Sequence, residues 1–129
     1  MKLLTAIIRP ERLSEVLVAL EGEKLTRLTV SPVLGRGGEP GLTNHYRGTP
    51  ATRELHRRSR IEVALADAQV ERAVAAIRKA AVTGRVGDGK IWVQSLTTLV
   101  RICDGARDGD AIIPAALATG RSPQIPRSQ

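Results

Sequence analysis

The apolar positions change period several times along the chain, and each change predicts an element. Leu3, Leu4, Ala6, Ile7 and Ile8 form a short, nearly continuous apolar run behind Lys2, which predicts a first strand over 2–8. Arg9-Pro10-Glu11 follows, with proline at a first helical position and an acid in the first turn, both helix-start signals. Leu13, Val16, Leu17 and Leu20 then recur at the spacing of one buried helical stripe, and Gly22 is the expected C-cap. Leu25 to Leu34 is rich in Leu, Thr and Val and alternates around Leu28, Val30 and Val33, which predicts a second strand. Pro32 marks that strand as an edge or a bulge, because proline donates no ladder hydrogen bond. Arg60 to Leu65 alternates again, a third strand. Asp67 is placed to N-cap a second helix with Val70, Ala73, Val74, Ile77 and Ala81 on its buried face and Glu71, Arg72, Arg78 and Lys79 outside; Gly84 ends it. Lys90 to Val100 reads as a fourth strand, Arg101-Ile102-Cys103 runs off its end, and Asp104 to Asp110 is rich in turn residues.

Between the second and third strands the periodicity fails. Residues 35–58 hold Gly35, Gly37, Gly38, Gly41, Gly48, Pro40 and Pro50 and almost no large apolar side chain. A loop of that length inside a small domain is uncommon and tends to carry function. From Arg36 to Arg60 six arginines stand against Glu39 and Glu54. The order β-α-β-(long loop)-β-α-β predicts an α+β chain of the ferredoxin-like kind: a four-stranded antiparallel sheet with two helices on one face. The opposite face would be left bare, which predicts association with further copies.

Composition narrows the picture. A length of 129 residues suits one domain, 42% hydrophobic content allows a core, and the absence of Phe makes that core aliphatic. No apolar run approaches the roughly 18 residues of a membrane span, and Met1-Lys2-Leu3-Leu4 leads at once into a strand, so no signal peptide is expected. Cys103 is the only cysteine, which precludes an internal disulfide and suits a reducing cytoplasm. The last dozen or so residues, within 113–129, carry prolines and serines without apolar periodicity and read as a disordered tail.

The net charge is +7, and 16 of the 20 basic residues are Arg, whose planar fork suits carboxylate and phosphate. Nucleic acid is the usual first thought for such a balance. The chain lacks the aromatic platform of single-strand and RNA binders, and its charge gathers in the loop rather than along one helix face. Catalysis is not expected either. His45 and His56 lie in the loop region, Cys103 has no histidine beside it, and no nucleophile–base pair or metal spacing is visible.

The chemistry concentrates in Thr83-Gly84-Arg85-Val86-Gly87-Asp88-Gly89-Lys90, ahead of the apolar Ile91-Trp92-Val93. Three glycines around an aspartate let successive backbone N–H groups line an anion-binding concavity, and Lys90 adds a full positive charge at its lip. The spacing is not that of a Walker loop. Taken alone, such a stretch between helix and strand is more often a plain turn.

Several stretches together resemble the PII signal-transduction family: Ala6-Ile7-Ile8-Arg9-Pro10, Thr29-Val30, Gly35-Arg36-Gly37, His45-Tyr46-Arg47-Gly48, Arg60-Ile61-Glu62-Val63, and above all Ala80-Ala81-Val82-Thr83-Gly84-Arg85-Val86-Gly87-Asp88-Gly89-Lys90-Ile91. The likeness covers residues 1–112. It implies a homotrimer with adenine nucleotides (ADP, AMP or ATP) bound in clefts between subunits, and a loop over 35–58, the T-loop, that docks on a regulated protein such as a transporter or an enzyme. It implies phosphate contacts at Gly87, Gly89, Lys90 and Arg101, with Val86 and Asp88 beside them in the nucleotide-binding set. It places Gly35, Arg36, Gly37 and Gly38 at the loop base beside the ligand, and Ile7, Thr29, Glu62 and Ala64 around adenine and ribose.

The departures matter as much. Glu39 stands where members of the family often have a glutamine that helps hold Mg-ATP and 2-oxoglutarate; a carboxylate there can ligate Mg²⁺ but repels a dicarboxylate. Glu39, Gly41 and Arg58 form the expected effector set, with Arg58 in place of a lysine and still able to grip a small carboxylate. Cys103 replaces a second phosphate-binding arginine, and Ala51 replaces the tyrosine that enteric relatives uridylylate. The sequence thus favours a divergent member in the cytoplasm, with a small anion such as bicarbonate as co-effector and an association with inorganic-carbon uptake or carboxysomes. The alternative is a nitrogen-regulatory PII that senses ATP, ADP and 2-oxoglutarate.

Overall fold

A computed structural model describes residues 1–37, 44–46, 49–51 and 55–113. Its four-stranded antiparallel sheet has the order β2-β5-β1-β6, with β1 at Lys2–Ile8, β2 at Thr29–Gly35, β5 at His56–Leu65 and β6 at Gly89–Ser95. Two short strands, β3 (Asn44–Tyr46) and β4 (Thr49–Ala51), pair with each other outside that sheet. The two helices, α1 (Leu13–Gly22) and α2 (Val70–Ala81), pack against each other and cover one face. This is the ferredoxin-like α+β arrangement that the pattern of the sequence predicts.

The core lies between that face and the helices. Leu4, Ala6 and Ile8 of β1 and Ile61, Val63 and Leu65 of β5 meet Val16 and Leu20 of α1 and Ala73, Ile77 and Ala81 of α2, all buried and all aliphatic. Pairing of Leu4 with Val63 and of Ala6 with Ile61 puts these side chains on one side of the pleat.

Element ends depart from the sequence reading in physically specific ways. The segment Leu25–Leu28 is not strand: Leu25 is buried as the closing contact of α1, where Lys24 N–H donates to Glu21 O at 2.8 Å and Leu25 N–H to Leu20 O at 2.9 Å. That is a Schellman closure with Lys24, at φ 62°, as the left-handed residue, so Gly22 is not the C-cap. Asp67 does not N-cap α2. It opens a 3₁₀ turn, Asp67–Gln69, and its carboxylate takes the amino group of Met1 at 2.7 Å, while Gln69 Oε1 accepts from Ala66 N–H. Helix α2 stops at Ala81, three residues before Gly84. Strand β5 starts at His56 rather than Arg60, because His56, Arg57, Arg58 and Ser59 extend the ladder opposite Gly35, Leu34, Val33 and Pro32. Pro32 does lie on an edge strand, as its missing N–H requires. Strand β6 ends at Ser95 rather than Val100; Leu99 to Asp108 folds back on itself, with Asp108 N–H donating to Leu99 O at 2.7 Å, and leads into a single helical turn, α3 (Gly109–Ile112). The tail expected over 113–129 lies, beyond Ile113, outside the described residues. No helix among the described residues is long and apolar enough to cross a membrane.

Candidate functional site

The sheet has a second face, covered by neither α1 nor α2, and its register decides which residues share it. Glu62 pairs with Thr5 on one side and Thr29 on the other, Arg60 with Ile7 and Ser31, and Arg58 with Val33. Across β1, Ile7 pairs with Lys90 and Thr5 with Trp92. Ile7, Thr29, Gly35, Arg58, Glu62, Ala64 and Lys90 therefore share the face opposite α1 and α2, although they come from four strands.

They divide between its two ends. At the end where β1 stops and β6 starts, a cavity of about 320 Å³ is lined by Ile7, Gly35, Arg36, Gly37, Arg58, Val86, Gly87, Gly89 and Lys90. Three cations and no carboxylate stand among these residues, the electrostatics of an anion site. At the other end Thr29, Glu62 and Ala64 line a cavity of about 460 Å³ with Leu3, Arg27, Leu28, Leu99, Ala111 and Ile112. Glu62 lies four residue steps along β5 from Arg58, about 13 Å at strand rise. One copy of the chain thus presents two separate open cavities on this face, not one closed pocket. Gly38, Glu39 and Gly41 lie outside the described residues, as does the loop's docking role.

The glycine-rich turn owes its shape to two constraints. Gly87 and Gly89 hold φ at 105° and 102°, where a side chain is strained, and a Cβ on Gly89 would stand 1.7 Å from the carbonyl oxygen of Ile7. The glycine is therefore what lets β6 enter the sheet beside β1. The second constraint is Asp88. Its carboxylate accepts hydrogen bonds from the hydroxyl and the N–H of Thr83, from Gly84 N–H at 2.9 Å and from Arg9 Nε at 3.0 Å. Arg9 also donates through Nη2 to the carbonyl of Val86 at 3.0 Å. The donors from Thr83, then Arg9 and Gly84, hold the Asp88 carboxyl far below the usual carboxylate range.

Two residues of the expected nucleotide-binding set, Asp88 and Arg101, are engaged inside the chain. The Asp88 side chain closes its own turn, and Asp88 lines a separate cavity with Ile8, Ile77 and Ala81 on the helix side of the sheet. The Arg101 guanidinium grips Asp104 at 2.7 Å and donates from Nη1 to the carbonyls of Asp110 and Ile113 at 3.1 and 2.6 Å. In this arrangement Arg101 fastens the turn that carries Ala111 and Ile112 into the second cavity. The same contact, with the N–H of Ala106, pulls the Asp104 carboxyl down.

Sequence reasoning missed Arg9 as part of the site, although it stands two residues beyond Ile7. Only the pairing of Ile8 with Gly89 brings it beside Asp88. Leu99 and Ile112 were missed because the fold-back after β6 has no periodicity that would announce it.

Comparison with known proteins follows the same outline. Residues 1–106 match the family model described as Nitrogen regulatory protein P-II. Proteins named Nitrogen regulatory protein P-II from Rhodospirillum rubrum and Azospirillum brasilense are 45% and 44% identical over 112 residues, and one from Synechocystis sp. is 41% identical. Each alignment covers 87% of this chain and the whole of the relative.

Proposed function

The chain belongs to the nitrogen regulatory protein P-II family, and on that premise we propose that it is a trimeric sensor whose inter-subunit clefts bind an adenine nucleotide, ADP, AMP or ATP. Proteins of this family are regulators rather than enzymes. Occupancy of the cleft sets the 35–58 loop, and the loop engages a regulated protein.

One observation carries the reading: Arg36, Arg58 and Lys90 converge with the glycine turn on a single cavity of about 320 Å³. Backbone N–H groups of a glycine turn and three cations are what a di- or triphosphate needs. The division into two half-sites supports clefts between copies. In a head-to-tail ring the phosphate end of one copy meets the Thr29–Glu62–Ala64 end of the next, and each nucleotide is held by two chains. Glu62 there accepts from the edge of the base. Its carboxylate lies 2.8 Å from the guanidinium of Arg60 on the same strand.

A small anion at Arg58 completes the reading. The relatives' name speaks for the nitrogen-regulatory branch, for which the co-effector to test is 2-oxoglutarate; the carboxylate of Glu39 speaks for a smaller anion such as bicarbonate. Calorimetry with ADP, AMP and ATP, with and without Mg²⁺, 2-oxoglutarate or bicarbonate, tests the whole. Micromolar ADP binding that weakens in Lys90→Ala by about 1.5–3 kcal/mol, the scale of a hydrogen bond to a charged group, is expected. Indifference to all three nucleotides overturns the proposal. Mg-ATP-dependent 2-oxoglutarate binding selects the nitrogen sensor; bicarbonate binding selects the carbon branch.

A further inference from the structure

We propose that Arg9 and Asp88 form a positioning pair that holds the 83–89 turn in its anion-receiving shape without themselves touching the ligand. The contacts fix the turn at three points. Thr83 and Gly84 are held at its start, with N–H to Asp88 Oδ2 distances of 2.8 and 2.9 Å. The carbonyl of Val86 is held at its apex by Arg9, and Asp88 itself at its end by the same guanidinium.

The geometry argues against a direct ligand role for either side chain. Four donors already occupy the Asp88 carboxylate, and a bare carboxylate would repel the phosphates of a nucleotide. Asp88 is also missing from the lining of the cavity that Arg36, Arg58 and Lys90 share. Arg9 neutralises it there, with only 12% of its own side chain and 22% of that of Asp88 exposed. The clamp draws on the N–H groups of Thr83 and Gly84 and leaves those of Val86 and Gly87 out of it, and Val86 and Gly87 are the residues that line the cationic cavity. An Arg rather than a Lys is needed, because one planar fork serves the Asp88 carboxylate and the Val86 carbonyl in a single orientation.

The inference rests on the proposed nucleotide reading only through its probe, ADP. The full chain is compared with Arg9→Gln, Asp88→Asn, the double variant and Arg9→Lys, by ADP calorimetry and by hydrogen exchange at the Thr83 and Gly84 amides. Each neutral single variant is expected to weaken ADP about tenfold, the effect of losing a charge-assisted hydrogen bond. The double variant loses no more than the worse single, since the two residues act through one contact. Thr83 and Gly84 amides exchange faster in both singles while those of α2 do not, and Arg9→Lys recovers only part of the loss. Additive losses in the double variant, or unchanged exchange at Thr83 and Gly84, overturn the pair. A wild-type chain that ignores ADP defeats the nucleotide reading instead, and the exchange rates alone then decide the clamp. Should Asp88→Asn not fold, Arg9→Lys carries the comparison.

Discussion

At the scale of single residues, the chain spends an acidic group to shape a basic site. Asp88 is ionised far into acid because Thr83, Arg9 and Gly84 all donate to its charged form. The consequence for stability has a definite sign. A carboxyl whose folded value lies below its unfolded value of 3.8 stabilises the fold fully above that pH and loses its contribution as pH falls further. The difference in urea midpoint between the wild type and Asp88→Asn is therefore expected to be constant from pH 8 to about pH 5 and to shrink below about pH 4. A difference that instead grows on acidification would mean that the carboxyl is not the acceptor at the centre of this turn. Gly89 is the complementary case. Its freedom was legible from the sequence, but the reason, the carbonyl of Ile7 in the space of a Cβ, depends on a strand pairing that no local pattern announces.

At the scale of elements, the period of the apolar residues carried most of the reading, and its failures share a cause. The buried faces of α1 and α2 and the alternation in β5 could be read because one face of each meets the core. The first residues of β5 could not. His56, Arg57 and Arg58 are polar on both faces, so their place in the ladder opposite Val33, Leu34 and Gly35 is set by β2 and not by burial. Leu25 misled for the opposite reason: it is apolar because it closes a helix, not because it belongs to a strand. This bears on how the long loop can be removed. Excision of 38–57 would cut two rungs, His56 and Arg57, from the β2–β5 ladder. Excision of 38–54 joins Gly37 to Leu55 and leaves Gly35 paired with His56 across a three-residue connection, a permitted hairpin length. The shorter excision is expected to keep stability within about 1 kcal/mol of the parent, since loop closure varies slowly with length, and to abolish capture of the regulated protein. The longer one is expected to melt measurably lower. Equal melting of the two by calorimetry would show that the β5 extension contributes nothing.

At the scale of the whole molecule, the feature to be explained is the unfinished face of the sheet. Its core side is sealed by two helices, while its other side presents Trp92, 40% exposed, beside Thr5, whose hydroxyl is buried without a partner among the described residues. A solvent-facing tryptophan leaves apolar area in water, and a neighbouring copy laid on this face would remove that penalty. The sequence announced that a face would be bare, because only two helices were available to cover a sheet. It could not say that the same face carries the two halves of the candidate site at opposite ends, which depends on register. In the proposed ring, assembly and ligand binding are then a single property. Light scattering is expected to give three times the 13.9 kDa chain mass for the wild type and one chain mass for Trp92→Glu, which places a carboxylate opposite Thr5 and near Glu62. The monomeric variant is expected to lose ADP binding by a hundredfold or so, about 2.7 kcal/mol, although Trp92 lines neither cavity, because each remaining half-site holds only one end of the nucleotide. A monomeric Trp92→Glu that binds ADP as tightly as the wild type would place the whole site within one chain and dissolve the link between the ring and its ligand.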